Sequence, residues 1–510
     1  MLSQINSCGL LGIDGYVVKV ETDIGNGLPR FDIVGLPDAA VKESKERVHA
    51  AIKNSGYGFP AKKVVVNLAP ASLKKEGAAY DLPIAVSVLC ATRQMPSDEL
   101  DKAVFIGELS LDGGVYPTRG VLPMVISAFA AGYTDFFVPA KNAPEASAVE
   151  GANIYPVSTL KELGDHLSGQ SKIPRHESDI DSIFRHNEQM LLDFSDVKGQ
   201  DNVKRALEIA AAGNHNVLLI GPPGTGKTML AQRIPGILPD LTFEEALEVT
   251  KIHSIAGTLP PDAPLITTRP FRSPHHSVSS AGLSGGGTVP RPGELSLAHN
   301  GVLFLDELPE FRREALEAMR QPLEDGTVTI SRVNASLSYP CNMMLIASMN
   351  PCKCGYYGDS MHECRCTPAQ IDAYRSKISG PLLDRIDIQV EVAAVDYSAL
   401  SHIGGGETSA QIKERVNKAR EIQKSRYKSL NIYSNSQIGA GQIEEFCKIG
   451  DREHKILKRA FDTMGLSARA YSRILKVART IADLEGHENI NAAHIAEAIQ
   501  YRSLDRKYFN

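Results

Sequence analysis

The sequence predicts an α/β protein that closes with an all-helical segment, on three observations. The apolar run at residues 216–220 reads as a buried strand. It feeds the glycine-rich turn Gly221-Pro222-Pro223-Gly224-Thr225-Gly226, and a helical pattern opens at Lys227-Thr228. A second apolar run, residues 301–305, ends in the carboxylate pair Asp306-Glu307. Beyond residue 404 only helical spacing follows, at 409–427, 451–464, 468–484 and 491–502.

The chain of 510 residues suits about three domains. Its 43% hydrophobic and 23% charged residues are an ordinary balance for burying cores. A net charge of -5 sets up no global basic field, so any polyanion site must be a local patch. No apolar run approaches the ~20 residues of a membrane span. The start, Met1-Leu2-Ser3-Gln4-Ile5-Asn6, lacks the basic and apolar parts of a signal peptide. The expectation is a cytoplasmic protein with no membrane partner.

Residues 1–166 read as a separate α/β domain, with strand-like runs at 16–21, 30–34, 63–68, 104–109 and 135–139 and helical spacing at 38–54, 81–90 and 121–131. The stretches Gly107-Glu108-Leu109-Ser110-Leu111-Asp112-Gly113 and Tyr116-Pro117-Thr118-Arg119-Gly120 resemble the proteolytic domain of Lon, a ribosomal-S5-type α/β fold. That resemblance places the family's nucleophilic serine at Ala79 and its lysine near Leu122, and neither residue can perform that chemistry. The domain is therefore expected to be non-catalytic. It either binds DNA or helps to assemble a ring, as a similar domain does in the recombination ATPase RadA, or is purely structural. Residues 167–190 are polar and aperiodic and read as a linker.

Residues 191–394 form the predicted core. Strand, glycine-rich loop and helix in that order make a P-loop, whose backbone N–H groups turn inward onto phosphate oxygens. Gly221 to Thr228 are its candidate nucleotide-binding residues, with Lys227 on the β- and γ-phosphates and Thr228 on Mg²⁺. Adjacent acids at a strand end point to opposite sides. Asp306 is thus assigned to Mg²⁺ and Glu307 to polarising the attacking water. Residues 327–337 alternate and turn near Asn334, as a β-hairpin does, and residues 343–350 form a further strand ending in Asn350.

This arrangement resembles AAA+ proteins. The resemblance implies sensor 1 at Asn350 and an arginine finger at Arg385, acting on a neighbouring subunit's nucleotide; the plain alternative is a surface arginine paired with Asp384 or Asp387. It implies a helical lid over residues 395–510, in which Arg469 or Arg473 is the sensor 2 contact to nucleotide. The basic helix at 409–427 is either a solvated face or a nucleic-acid contact.

Four of the eight cysteines, Cys352, Cys354, Cys364 and Cys366, fall within fifteen residues. Two C-x-C pairs across a glycine-containing loop suit a structural tetrahedral zinc site, with His362 as an alternative ligand. Free thiols and redox chemistry are the competing readings.

Together, Arg272-Ser273-Pro274-His275-His276, Leu305-Asp306-Glu307-Leu308-Pro309, Ser348-Met349-Asn350-Pro351-Cys352 and Ser379-Gly380-Pro381-Leu382-Leu383-Asp384-Arg385 resemble the magnesium-chelatase-like AAA+ proteins of the YifB/ComM family, over the whole chain. The resemblance implies a homohexameric ATPase using ATP and Mg²⁺ to drive branch migration on single-stranded and branched DNA. Its role would be integration of transforming single-stranded DNA, alongside recombination proteins. It further implies that the hairpin carrying Arg332 faces a central pore beside a helix-2 insert carrying Arg272, His275 and His276, as DNA contacts. The rivals are a chelatase-type motor that remodels a protein or inserts a metal, and an ATP-dependent protease.

Overall fold

A computed structural model describes the chain except for residues 99, 180–183, 185–191, 261–262, 288–289, 333–334, 360–361, 395–405, 429, 431, 465 and 509–510. The chain separates into two compact units, residues 1–187 with 243–267, and residues 188–242 with 268–510. The division differs from the expected one at residues 243–267. These fall within the expected core at 191–394, but they cluster with the N-terminal unit.

In the N-terminal unit, β1 (Leu2–Leu11), β2 (Asp14–Gly25), β3 (Arg30–Val34), β4 (Lys63–Ala69) and β5 (Ala103–Phe105) precede a short hairpin of β6 (Glu108–Leu109) and β7 (Val115–Tyr116). β8 (Asp135–Pro139) and β9 (Asn153–Val157) complete the set. The main sheet has the order β3-β4-β2-β1-β5-β8-β9. The helix Asp81–Ala91 is apolar on all sides and buried at every residue, as a helix hydrophobic all round must be. Ala79 and Leu122 are both buried. Leu122 packs with Leu265, Ile126 and Leu247. The position that the Lon resemblance gives to a lysine thus holds an apolar contact to the segment 243–267. The helix Phe243–Ala256 is further tied down by Gly120 N–H, which donates to Ser254 O at 3.1 Å, and by the Ser254 hydroxyl, which donates to buried Glu145.

The second unit is built on a parallel sheet of β10 (Val217–Ile220), β11 (Phe271–Arg272), β14 (Val302–Leu305), β17 (Met344–Met349) and β18 (Ile388–Glu391), in the order β11-β14-β17-β10-β18. β10, β14 and β17 are buried throughout, which is why they read as continuous apolar runs rather than alternating ones. Two hairpins stand apart from this sheet, β12 (Gly285–Gly286) with β13 (Arg291–Pro292), and β15 (Thr327–Arg332) with β16 (Ala335–Pro340). The helices Asp201–Gly213, Ser409–Arg426 and Ala468–Leu484 share one hydrophobic core with the sheet. Among the described residues no helix is long and apolar enough to cross a membrane.

Candidate nucleotide site

The glycine-rich loop leaves the carboxyl end of β10, where parallel sheets place ligands. Gly224 and Gly226 have φ of 80° and 86°, a backbone region that side chains with Cβ adopt at a cost. The helix Lys227–Gln232 starts at once. The Lys227 ammonium folds onto its own loop, donating to Gly221 O at 2.8 Å and Pro222 O at 2.7 Å, and to Asn350 Oδ1 at 3.2 Å. Burial lowers its pKa, while Asp306 and Glu307 push the other way.

Register in the sheet brings the other groups alongside. β10 and β14 flank β17, with Ile220 level with Met349 and Leu305 level with Ala347. Thr228 Oγ1 donates to Asp306 Oδ2 at 2.8 Å. Ser348 donates to Asp306 Oδ1 and also accepts the Glu307 N–H at 3.3 Å. Glu307 sits in the left-handed region at φ 55°, a costly conformation for a non-glycine residue that tends to mark functional sites. Its side chain is 56% exposed, and His276 Nδ1 is 3.9 Å from Glu307 Oε2.

Two residues carry geometric weight that sequence reasoning missed. Ser348 holds both acidic residues, as above. Asn216 accepts the Leu345 N–H at 2.9 Å, donates its backbone N–H to Asp387 Oδ2 at 3.0 Å and its side-chain amide to Arg385 O at 2.9 Å. It thereby fixes three neighbouring segments at the start of β10. A cleft of about 410 Å³ lined by Val197, Gly199, Lys204, Arg205, Glu208 and Ile412 opens in the same unit.

The arginines expected at the nucleotide lie elsewhere in this protomer. Arg385 donates to Arg320 O and Pro381 O, both at 2.8 Å, and pairs with Glu324. Arg469 contacts Asp384 at 3.2 Å, and Arg473 pairs with buried Asp387. Ile388 is level with Val217, so Asp387 stands at the amino end of the sheet, roughly 13 Å along the strands from the phosphate loop. Arg469 and Arg473 thus lie on the side of Arg385, away from their own chain's loop. Burial would raise the Asp387 carboxyl, but Arg473, His215 and the Asn216 N–H outweigh it and hold it well below the usual carboxylate range.

The four cysteine sulfurs converge. Cys352 Sγ lies 3.3 Å from Cys354 Sγ and 3.7 Å from Cys364 Sγ, and Cys354 is 3.6 Å from Cys364. All four sulfurs, Cys366 included, lie within 4.8 Å of one another. Thiolates at about 2.3 Å around a tetrahedral ion stand about 3.8 Å apart, so the cluster fits zinc. Burial raises the Cys354 thiol, but the backbone N–H groups of Tyr356 and Arg365, with Cys352 and Cys366, together outweigh it and bring the thiol down to about 6. His362 turns instead to Asp359 at 3.5 Å and packs tilted against Tyr356. The cysteine loop also abuts the phosphate loop, since a Cβ added at Gly355 would lie 2.6 Å from Pro223 Cδ.

The expected DNA contacts divide. Arg272 is half-buried in a fork with Glu294, at 2.7 and 2.8 Å. Its Nε and Nη2 thus face Glu294 within the protein. His275 packs tilted against His276 with centroids 4.0 Å apart, and His276 faces Glu307. The Arg332 side chain and the hairpin tip at 333–334 lie outside the described residues. On the helix Ser409–Arg426, Lys413, Arg415, Lys418 and Arg426 pair with Asp240, Glu208, Glu414 and Asp483 respectively, and Arg420 donates to carbonyls. These five side chains are paired within the protein.

A five-stranded parallel sheet with the P-loop on its inner strand, paired acids on the next strand but one and a polar amide on the strand between defines an AAA+-type nucleotide-binding protein. Family models agree. Residues 20–142 match "Subunit ChlI of Mg-chelatase", 193–400 match "Magnesium chelatase, subunit ChlI", and 406–502 match its C-terminal part. The chain is 45% identical to the competence protein ComM of Haemophilus influenzae over 99% of this chain and 98% of that protein. It is 44% identical to the uncharacterised protein YifB of Escherichia coli, at the same coverage. A magnesium-chelatase 67 kDa subunit of Chlorobaculum parvum is 28% identical over 32% of this chain and 24% of its own length. The chain belongs to the magnesium-chelatase-like ComM/YifB family of AAA+ proteins.

Proposed function

We propose that this protein is a ring-forming AAA+ ATPase that translocates or branch-migrates DNA during uptake of transforming single-stranded DNA. The observation that carries the ATPase part is the Thr228–Asp306–Ser348–Glu307 arrangement beside Lys227 and Asn350. Thr228 and Asp306 would hold Mg²⁺, which supplies charge neutralisation at the phosphates when bound. Glu307 would take a proton from the attacking water, and Asn350 would orient it. Lys227 would leave the loop carbonyls for the phosphates, and the 410 Å³ cleft is sized for the nucleoside.

Arg385, Arg469 and Arg473 share one side of the protomer, away from its own loop. We assign them to a neighbour's nucleotide, which makes a ring, six-membered by family resemblance, the working form. Zinc at Cys352, Cys354, Cys364 and Cys366 would pin the loop behind Asn350 and Pro223. The DNA part rests on likeness to a competence protein across the whole chain and on the β15–β16 hairpin. The test is nucleotide-dependent binding of single-stranded and branched DNA, with ATP turnover measured in parallel. If neither DNA binds nor raises turnover, the helicase reading fails and a chelatase-type protein-remodelling motor replaces it.

A further inference from the structure

Asn350, to which the ATPase reading gives the attacking water, stands just past the carboxyl end of β17. Its side chain meets Lys227, and its main chain is held from outside the sheet. A backbone hydrogen bond of Asn350 reaches the Tyr374 hydroxyl, and the Pro351 carbonyl accepts from Arg375 Nε at 3.1 Å. Tyr374 and Arg375 are the last two residues of the helix Pro368–Arg375, whose start is fixed by a capping box of Thr367 and Gln370. One helix end thus grips two consecutive residues, of which the first carries the amide.

The Arg375 guanidinium is itself set by two rings. Its Cζ lies 4.7 Å from the Tyr357 ring centroid and 4.9 Å from that of Tyr508, a stacking for which the flat arginine cation, unlike the lysine ammonium, is shaped. Its Nη2 is buried and has no hydrogen-bond partner among the described residues. The rings therefore fix the plane of the group, and the plane fixes where Nε points. Tyr357 belongs to the cysteine loop, and Tyr508 to the helix Leu504–Tyr508. Residues 501–508 run along the outer edge of β18. Arg502 Nη1 donates to Ile386 O at 2.6 Å, the Gln389 N–H to Tyr501 O at 2.9 Å and the Gln389 side-chain amide to Asp505 Oδ1 at 2.6 Å. At the carboxyl end of β18 the Tyr508 hydroxyl donates to Glu391 Oε1 at 2.8 Å, and Lys507 Nζ reaches Glu391 Oε2 at 2.7 Å. Glu391 is level with Ile220, the residue before the phosphate loop. Tyr508 is only 3% exposed, so its ring is seated rather than free.

We propose that Arg375 is a positioning residue for Asn350. The Tyr357 and Tyr508 rings hold its guanidinium, and its bond to Pro351 O sets the direction of the neighbouring carboxamide. The helix Leu504–Tyr508 thereby contributes to ATP hydrolysis through Arg375. The inference rests on the ATPase reading of Asn350 and is independent of the DNA reading.

The test is a double-mutant cycle in the full chain, with R375A, R375K and Y508L each made alone and together with N350A. Steady-state ATPase kinetics are measured, with single-turnover hydrolysis for the slow variants and thermal melting alongside. R375A is expected to lower kcat about tenfold while KM for ATP stays within about twofold, since binding precedes the step that Asn350 serves. R375K keeps the charge without a flat group between the rings and should lose about fivefold in kcat. Y508L keeps a buried apolar side chain without the ring face and should lose about threefold. In the N350A background each change should alter turnover by less than about twofold, because its target is already gone. Equal losses in both backgrounds, a KM that rises in step with the fall in kcat, or wild-type kcat in R375K overturns the proposal. Wild-type kcat in Y508L overturns the part given to its helix. If R375A does not fold, R375K and Y508L carry the same cycle. If N350A turns over ATP like the unaltered chain, the reading of Asn350 fails and Arg375 falls with it; equal losses beside an impaired N350A sink Arg375 alone.

Discussion

The Thr228 hydroxyl donates to Asp306 Oδ2 at 2.8 Å across a sequence separation of 78 residues, joining the phosphate loop to the acidic strand end. The bond brings together the two residues proposed to hold one Mg²⁺. D306N keeps the shape but removes the charge, and should lower Mg²⁺-dependent ATP hydrolysis by about 10²-fold or more with an unchanged melting temperature. Full activity in D306N would remove Asp306 from the site.

Arg385 is stored against Glu324 and two carbonyls rather than at a phosphate. R385A should bind ATP normally and fail to turn it over. Mixed with E307Q, which traps ATP, it should recover part of the turnover, because hybrid interfaces pair an intact finger with an intact base. Mixing that yields no turnover above the two separate variants would count against action between subunits.

The cysteine loop and the phosphate loop touch at Gly355 and Pro223. Elemental analysis of protein purified under reducing conditions should find about one zinc per chain, and less than half would sink the tetrathiolate site. Gly355 has φ of 90°, so G355A combines backbone strain with a clash against Pro223. It should raise the KM for ATP several-fold, by roughly 1 kcal/mol of lost binding. An unaltered KM would show the two loops to be independent.

Asp387 is buried with its carboxyl held well below the usual range, so its contribution is present above about pH 4 and is lost as pH falls toward the folded value. R473A leaves that charge with fewer partners and should destabilise the chain by about 3 kcal/mol at pH 7 in urea denaturation. The deficit should shrink below pH 4, where a protonated Asp387 needs no cation. A deficit constant with pH would place the loss in packing instead.

Deleting residues 1–187 strips Leu247 and Leu265 of their partners Leu122, Ile126 and Ala148. The truncated chain should elute as aggregate in size-exclusion chromatography, and a chain also lacking residues 243–267, bridged by a short flexible linker, should not. A monodisperse first variant would contradict this.

The parts of the site legible in the sequence were those written contiguously. The P-loop and Asp306-Glu307 each follow an apolar run that can only be a buried strand, so residue type and place were set together. The Arg272–Glu294 pair was not legible because Glu294 comes 22 residues later, beyond any local pattern. Likewise the His276–Glu307 contact depends on which strands pair and in what register, and the turn to Arg385's side by Arg469 and Arg473 depends on how a lid helix docks. For the helix Phe243–Ala256, nothing in the local sequence says which of two cores receives its apolar face.

That helix has a consequence for ancestry. The polypeptide passes from one unit to the other at residues 187–188, 242–243 and 267–268, so the N-terminal unit is not a single contiguous stretch appended to the nucleotide-binding unit. Gene fusion or recombination at a single crossover cannot exchange it intact. A chimera between relatives inherits a matched pair only if residues 1–187 and 243–267 come from the same parent, and the two stretches are therefore bound to diverge together.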